Sequence, residues 1–140
     1  MAAVPERARQ AFRILYVGFI VAPVLAGLDK FFNLLVDWEQ YLAPVVTDVL
    51  PVSARTIMLV VGVVEIAAGV LVALRPRIGG YVVAVWLWAI IVNLLVAGDY
   101  FDIALRDLGL SFGALALAWL AEAFGTAGIA AATAVSRQRS

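Results

Sequence analysis

Across 140 residues, 65% are hydrophobic, 14% are charged and the mean hydropathy is +1.04, which leaves too little polar surface to cover a water-soluble globule. Net charge is zero with the basic residues dispersed, which excludes a phosphate-tracking nucleic-acid face. Cysteine and histidine are both absent, which excludes disulfides, thiol redox chemistry, thiolate iron–sulfur clusters, His-ligated haem or copper, and Ser-His or Cys-His nucleophiles.

The first apolar span is expected from Phe12 to Leu28, after a basic start of Arg7, Arg9 and Arg13. A secretory leader cut after Val24-Leu25-Ala26 is an alternative reading of the same stretch, ranked below a retained span. Pro23 removes one backbone donor and predicts a kink. Asp29 and Lys30 close this span. The segment from Phe31 to Ala54 is the one long loop. Its Phe31, Phe32, Leu34, Leu35, Trp38, Tyr41 and Leu42 recur at helical spacing opposite Asn33, Asp37, Glu39 and Gln40, which predicts an amphipathic helix lying along the outer interface and ended by Pro44. It could serve as a lid or as plain interfacial anchoring.

The second span, Thr56 to Leu74, carries a lone carboxylate, Glu65, at its midpoint. A tight polar turn of Arg75-Pro76-Arg77 with Gly79 and Gly80 leads to the third span, Gly80 to Ala97, which holds Asn93. Gly98, Asp99, Tyr100, Phe101 and Asp102 turn the chain into the fourth, Ile103 to Ala121, which opens with Arg106 and Asp107. Each span reaches about 25 to 30 Å, the hydrocarbon thickness. The expected architecture is an all-α membrane protein: an up-down bundle of four transmembrane helices over residues 1–121, with the interfacial helix in its first outer loop. Residues 122–140 are expected to be a fraying helix end and a basic tail.

Seven of the ten basic residues, Arg7, Arg9, Arg13, Arg75, Arg77, Arg137 and Arg139, fall on one side of this arrangement. That side is expected to be cytoplasmic, with both termini there and the protein in the plasma membrane. The other side carries Lys30, Arg55 and Arg106 among seven carboxylates.

Depth singles out a polar set. Asp29, Lys30, Asn93, Arg106 and Asp107 lie near the outer ends of the first, third and fourth spans, and Glu65 lies about 15 Å below the surface on the second. A charge at mid-membrane depth costs roughly 3 kcal/mol or more unless it is protonated, paired or hydrated. Desolvation therefore favours a protonated Glu65 unless Arg106 or Lys30 reaches it, and a protonated Glu65 can donate a hydrogen bond to Asn93 or to a quinone carbonyl. Arg106 needs an anion, from Asp29, Asp107 or Glu65. Neighbouring residues point about 100° apart on a helix, so Arg106 is expected to find a partner on another helix and not to pair simply with Asp107. The competing reading is that these groups only lock helices in register. Gly62 and Gly69 on the Glu65 stripe are expected to permit close helix approach, and Trp86, Trp88 and Trp119 to face lipid or pack.

Ala26-Gly27-Leu28-Asp29-Lys30-Phe31-Phe32, Trp38 with Tyr41-Leu42-Ala43-Pro44, Glu65, and Asp102-Ile103-Ala104-Leu105-Arg106-Asp107-Leu108 together resemble the DoxX family of small bacterial membrane proteins. The resemblance runs over about residues 14 to 121. It implies a four-helix protein of the bacterial inner membrane, related to a subunit of a quinone-linked oxidoreductase that handles sulfur compounds. It points to Asp29, Lys30, Glu65, Arg106 and Asp107 as site residues.

Three functions follow as expectations. The first is an accessory oxidoreductase subunit with a quinone or small-substrate pocket, Glu65 handling protons and Arg106 holding an anionic group as the candidate catalytic pair, and no covalently bound cofactor or metal. The second is a scaffold that recruits membrane or soluble partner subunits without chemistry of its own. The third is a small proton-coupled transporter using Glu65, against which stand the fixed charge bias and the long outer loop.

Overall fold

The computed structural model describes the backbone of residues 5–139 and the side chains of residues 5–124, 137 and 138. Helix α1 spans Glu6–Asp29, a 3-10 turn covers Trp38–Tyr41, and α2 (Pro44–Val49), α3 (Ala54–Leu74), α4 (Pro76–Ala97) and α5 (Phe101–Arg139) follow. No strand occurs among the described residues. Helices α1, α3, α4 and the Phe101–Phe124 part of α5 are each long and apolar enough to cross a membrane, the build of a multi-pass membrane protein. A helix satisfies its own backbone hydrogen bonds, as a segment without water around it must. Apolar side chains stand exposed on all four, Ile14 at 74%, Val60 at 60%, Val85 at 60% and Phe112 at 60% among them, positions a bilayer would cover.

Lipid tails are as apolar as leucine, so small residues and close backbone approach take over from burial in holding such helices together. A Cβ built on Gly27 would lie 2.5 Å from the Gly62 carbonyl oxygen, and one on Gly69 would lie 2.6 Å from a Val24 methyl and 2.9 Å from the Ile20 carbonyl oxygen. Helix α1 therefore runs flush against α3, with Gly62 and Gly69 admitting its backbone as the sequence predicts. On the other side Gly80 meets Ala114 and Ala118. The innermost packing, Ala68, Val72, Val83, Ala84, Ala114 and Leu117, lies where α3, α4 and α5 converge. Contact between α1 and α5 is thinner than that of α1 on α3 or of α4 on α5.

Three local expectations are corrected. The link between α3 and α4 is Arg75 alone: Pro76 takes the first turn of α4, where its missing N–H costs nothing, and Gly79 and Gly80 are buried inside the helix. Residues 31–37 form turns and bends, with Asn33 at φ 52°, instead of a helix, and Pro44 begins α2 instead of ending an element. Helix α5 starts at Phe101 after the left-handed Gly98 (φ 74°), so Phe101 and Asp102 belong to the helix instead of the expected turn, and it runs to Arg139.

Candidate functional site

Glu65 faces inward. The buried residues of α3 are Met58, Gly62, Glu65, Ala68, Gly69 and Val72, a single stripe at helical spacing, and that stripe faces α1 and α4. Opposite it, α1 ends at Asp29, and the side chain of Lys30 extends down the flat surface that Gly62 leaves open. Lys30 Nζ donates to Glu65 Oε2 at 2.6 Å, with side-chain exposures of 4% and 10%. Of the two cations expected to compete for this carboxylate, Lys30 takes it. The same ammonium sits 3.7 Å from the centroid of the Trp38 indole, a second compensation for its desolvation.

The neighbouring carboxylate does different work. Asp29 accepts from the backbone N–H groups of Leu34 (2.9 Å) and Leu35 (3.0 Å) and from Trp38 Nε1 (2.8 Å). It folds the segment after α1 back over the helix end and fixes the indole against Lys30. Arg55, the second residue of α3, donates to the carbonyl oxygens of Lys30 (2.6 Å) and Phe31 (3.0 Å), the two residues that follow α1. Sequence reasoning missed Arg55. The signal that finds it is its level: in a helix packed against α1 with Gly27 opposite Gly62, a residue seven positions before Gly62 lies about 10 Å beyond that contact, past the end of α1, where a long side chain can reach back to it.

Two expectations for the polar set are revised. Asn93 does not bond Glu65. Its Oδ1 accepts from the Ala43 N–H (2.9 Å) and its Nδ2 donates to the Tyr41 carbonyl (2.7 Å), so it pins the far end of the 31–43 segment to α4. Arg106 pairs with the residue beside it: Nε and one terminal nitrogen donate to Asp107 Oδ1 at 3.2 and 3.1 Å. A guanidinium on a three-carbon stem curls across the 100° between successive positions, and Arg106 remains 64% exposed while Asp107 is 5% exposed. Asp29 is not its partner.

These residues nevertheless share one space. A cavity of about 870 Å³ is lined by Lys30, Glu65, Asn93, Arg106 and Asp107, together with Trp38 and Tyr41 from the overlying segment. Its remaining wall is almost wholly apolar, drawn from all four long helices. On one side it is bounded by Gly18, Ala22 and Ala26 of α1 and Ile103 and Leu110 of α5, a helix pair in thinner contact than α1 with α3 or α4 with α5. A hollow of about 300–1,000 Å³ with apolar walls and a few convergent polar groups is the usual form of a small-molecule site. Asp29, the sixth residue of the expected set, lies outside the lining and acts through Trp38.

The charges at this site are internally balanced. Lys30 neutralises Glu65 and Arg106 neutralises Asp107, so a net charge brought in by a ligand would meet no uncompensated opposite. Hydrogen-bonding capacity is left over: an ammonium carries three donors and a carboxylate two acceptor oxygens, and the Lys30–Glu65 bond uses one of each. The cavity can hold an uncharged molecule by both a donor and an acceptor.

Trp86 lines the same cavity, and its indole N–H is buried with no hydrogen-bond partner among the described residues. Such orphans are rare and call for an explanation. Composition gave no reason to separate Trp86 from the other tryptophans, but depth does, because it lies as far from the end of α4 as Glu65 lies from the start of α3. Trp88, by contrast, donates to Ser111 across the α4–α5 contact, and Trp119 is exposed. No protein-family model, no curated protein and no solved structure matches this chain.

Proposed function

We propose that this is a DoxX-like protein of the bacterial plasma membrane, an up-down bundle with both termini cytoplasmic, that holds a quinone in its central cavity as the accessory subunit of a quinone-linked oxidoreductase. The observation that carries the reading is the cavity itself: an apolar hollow inside a bundle of membrane-length helices, with a buried, mutually neutralised Lys30–Glu65 pair in its wall. A quinone is an uncharged ring on an apolar tail. Its carbonyl oxygen accepts from a spare Lys30 N–H, and the hydroxyl of the reduced form donates to Glu65, so the same pair suits both redox states. Arg106 is neutralised by Asp107, but its unused N–H groups are exposed at the cavity wall and can donate hydrogen bonds to a partner subunit or a substrate. The register of Gly27 on Gly62 and of Ile20 and Val24 on Gly69 supports antiparallel neighbours, and the basic side of the sequence supports the orientation.

The transporter reading loses support at Glu65, because a carboxylate already engaged by Lys30 at 2.6 Å is poorly placed to exchange a proton for a cationic drug. A scaffold remains the second reading. Asp29, Asn93 and Arg55 all spend their polar groups on shaping residues 30–43, which a partner-binding surface would also require.

Retention of quinone by the purified protein tests the proposal. Protein extracted in mild detergent, washed and analysed by solvent extraction and mass spectrometry is expected to carry quinone at near one per chain, and Glu65→Leu with Lys30→Met to lower that at least fivefold. Quinone at the level of a control four-helix membrane protein would leave only the scaffold.

A further inference from the structure

A second hollow lies on the outer face of the bundle between α3 and α4. It encloses about 490 Å³ and is bounded by Val64, Ala67 and Leu71 of α3 and by Tyr81, Val82 and Val85 of α4. Several of these side chains are exposed, so the groove opens on the surface that a bilayer would cover. Three residues line both this groove and the central cavity: Ala68, Trp86 and Ala89. The partition between them is therefore two methyl groups and one indole. That indole is held by no hydrogen bond, its N–H being the buried orphan, so turning it breaks none. Contact between α3 and α4 is also slimmer than that of α1 on α3 or α4 on α5, although a single residue, Arg75, joins them.

We infer that the groove is the tail-binding half of the ligand site: the headgroup of an uncharged amphiphile sits beside Lys30 and Glu65, and its alkyl or isoprenoid tail passes Trp86 and leaves between α3 and α4. This rests on the cavity being a ligand site and adds which way the ligand lies and enters. The groove adjoins the cavity across Trp86, has an apolar wall and runs along about 12 Å of helix from Tyr81 to Ala89. An extended hydrocarbon chain fits those features. A charged or bulky partner does not.

The test compares two probes in nanodiscs of neutral lipid, 2,3-dimethoxy-5-methyl-1,4-benzoquinone and its 6-decyl derivative, with dissociation constants read from tryptophan quenching. Ala67 and Val82 line only the groove, on opposite sides, and either enlarged to phenylalanine narrows it. Ala67→Phe and Val82→Phe are each expected to weaken the decyl probe about tenfold while leaving the tail-less ring unchanged, which also shows the variants folded. Equal binding of the decyl probe by wild type and both variants overturns the inference while sparing the central cavity, and so does parallel weakening of both probes. Failure of wild type to bind either probe overturns the cavity reading first and this inference with it.

Discussion

Replacing Lys30 with methionine is expected to destabilise the protein by about 3–5 kcal/mol, the range for removing one member of a buried pair and leaving the other charge uncompensated. Glu65, at 10% side-chain exposure and with Lys30 as its bonded partner, would then be a bare carboxylate inside the bundle. Glu65→Leu alone should cost a similar amount, since it strands the ammonium, although the Trp38 ring at 3.7 Å softens that loss by about 1–2 kcal/mol. The informative variant is the double one. Lys30→Met with Glu65→Leu removes both charges together, and well-packed apolar replacements of a buried pair are often neutral or stabilising. Denaturation of the four proteins in one detergent should therefore give a double variant more stable than either single one. Additive losses would mean that the two side chains do not interact.

Gly62→Ala is expected to destabilise the protein by about 1–3 kcal/mol, because over-packing forces backbones apart. Its Cβ would lie 2.7 Å from the Gly27 carbonyl oxygen and 3.2 Å from Lys30 Cβ, so α1 must retreat from α3 and carry Lys30 away from Glu65. The two effects are linked. Combined with the Lys30→Met, Glu65→Leu pair, Gly62→Ala should lose part of its cost, as expected for neighbours that share a packing shift. Gly18→Ala is the control. Nothing lies within 4 Å of its added methyl, and alanine in a helix interior is favoured over glycine by up to about 1 kcal/mol, so it should be neutral or stabilising. Similar melting temperatures for Gly62→Ala and Gly18→Ala in the same detergent would contradict the close α1–α3 contact.

Hydropathy made the four long helices legible because nothing in a bilayer competes with the helix for its backbone donors and acceptors. The α3 face was legible for a related reason: Gly62, Glu65 and Gly69 fall on one stripe, and a carboxylate at that depth has to turn inward. Partner choice was not. Whether Lys30 or Arg106 reaches Glu65 depends on how far α1 overlaps α3, which Gly27 against Gly62 decides and no single segment contains. The Arg106–Asp107 pair was misjudged because backbone angles alone ignore the reach of a long side chain. Residues 31–43 misled through their apolar spacing: the tertiary bonds of Asp29 and Asn93, from outside the segment, override a helical pattern there. Trp86 shares the depth of Glu65, but its N–H without a partner exists only once the bundle is assembled.

The central claim is that the Lys30–Glu65 pair faces a ligand inside the bundle, and photolabelling tests it most directly. Protein in nanodiscs is irradiated with an azidoquinone, digested, and the labelled residues are mapped with and without excess decylquinone. Label is expected on cavity residues near the pair, among them Lys30, Trp38, Met58 and Trp86, and is expected to disappear under competition. Label confined to outward residues such as Ile14, Val60 and Phe112, or label that excess quinone does not displace, would contradict it.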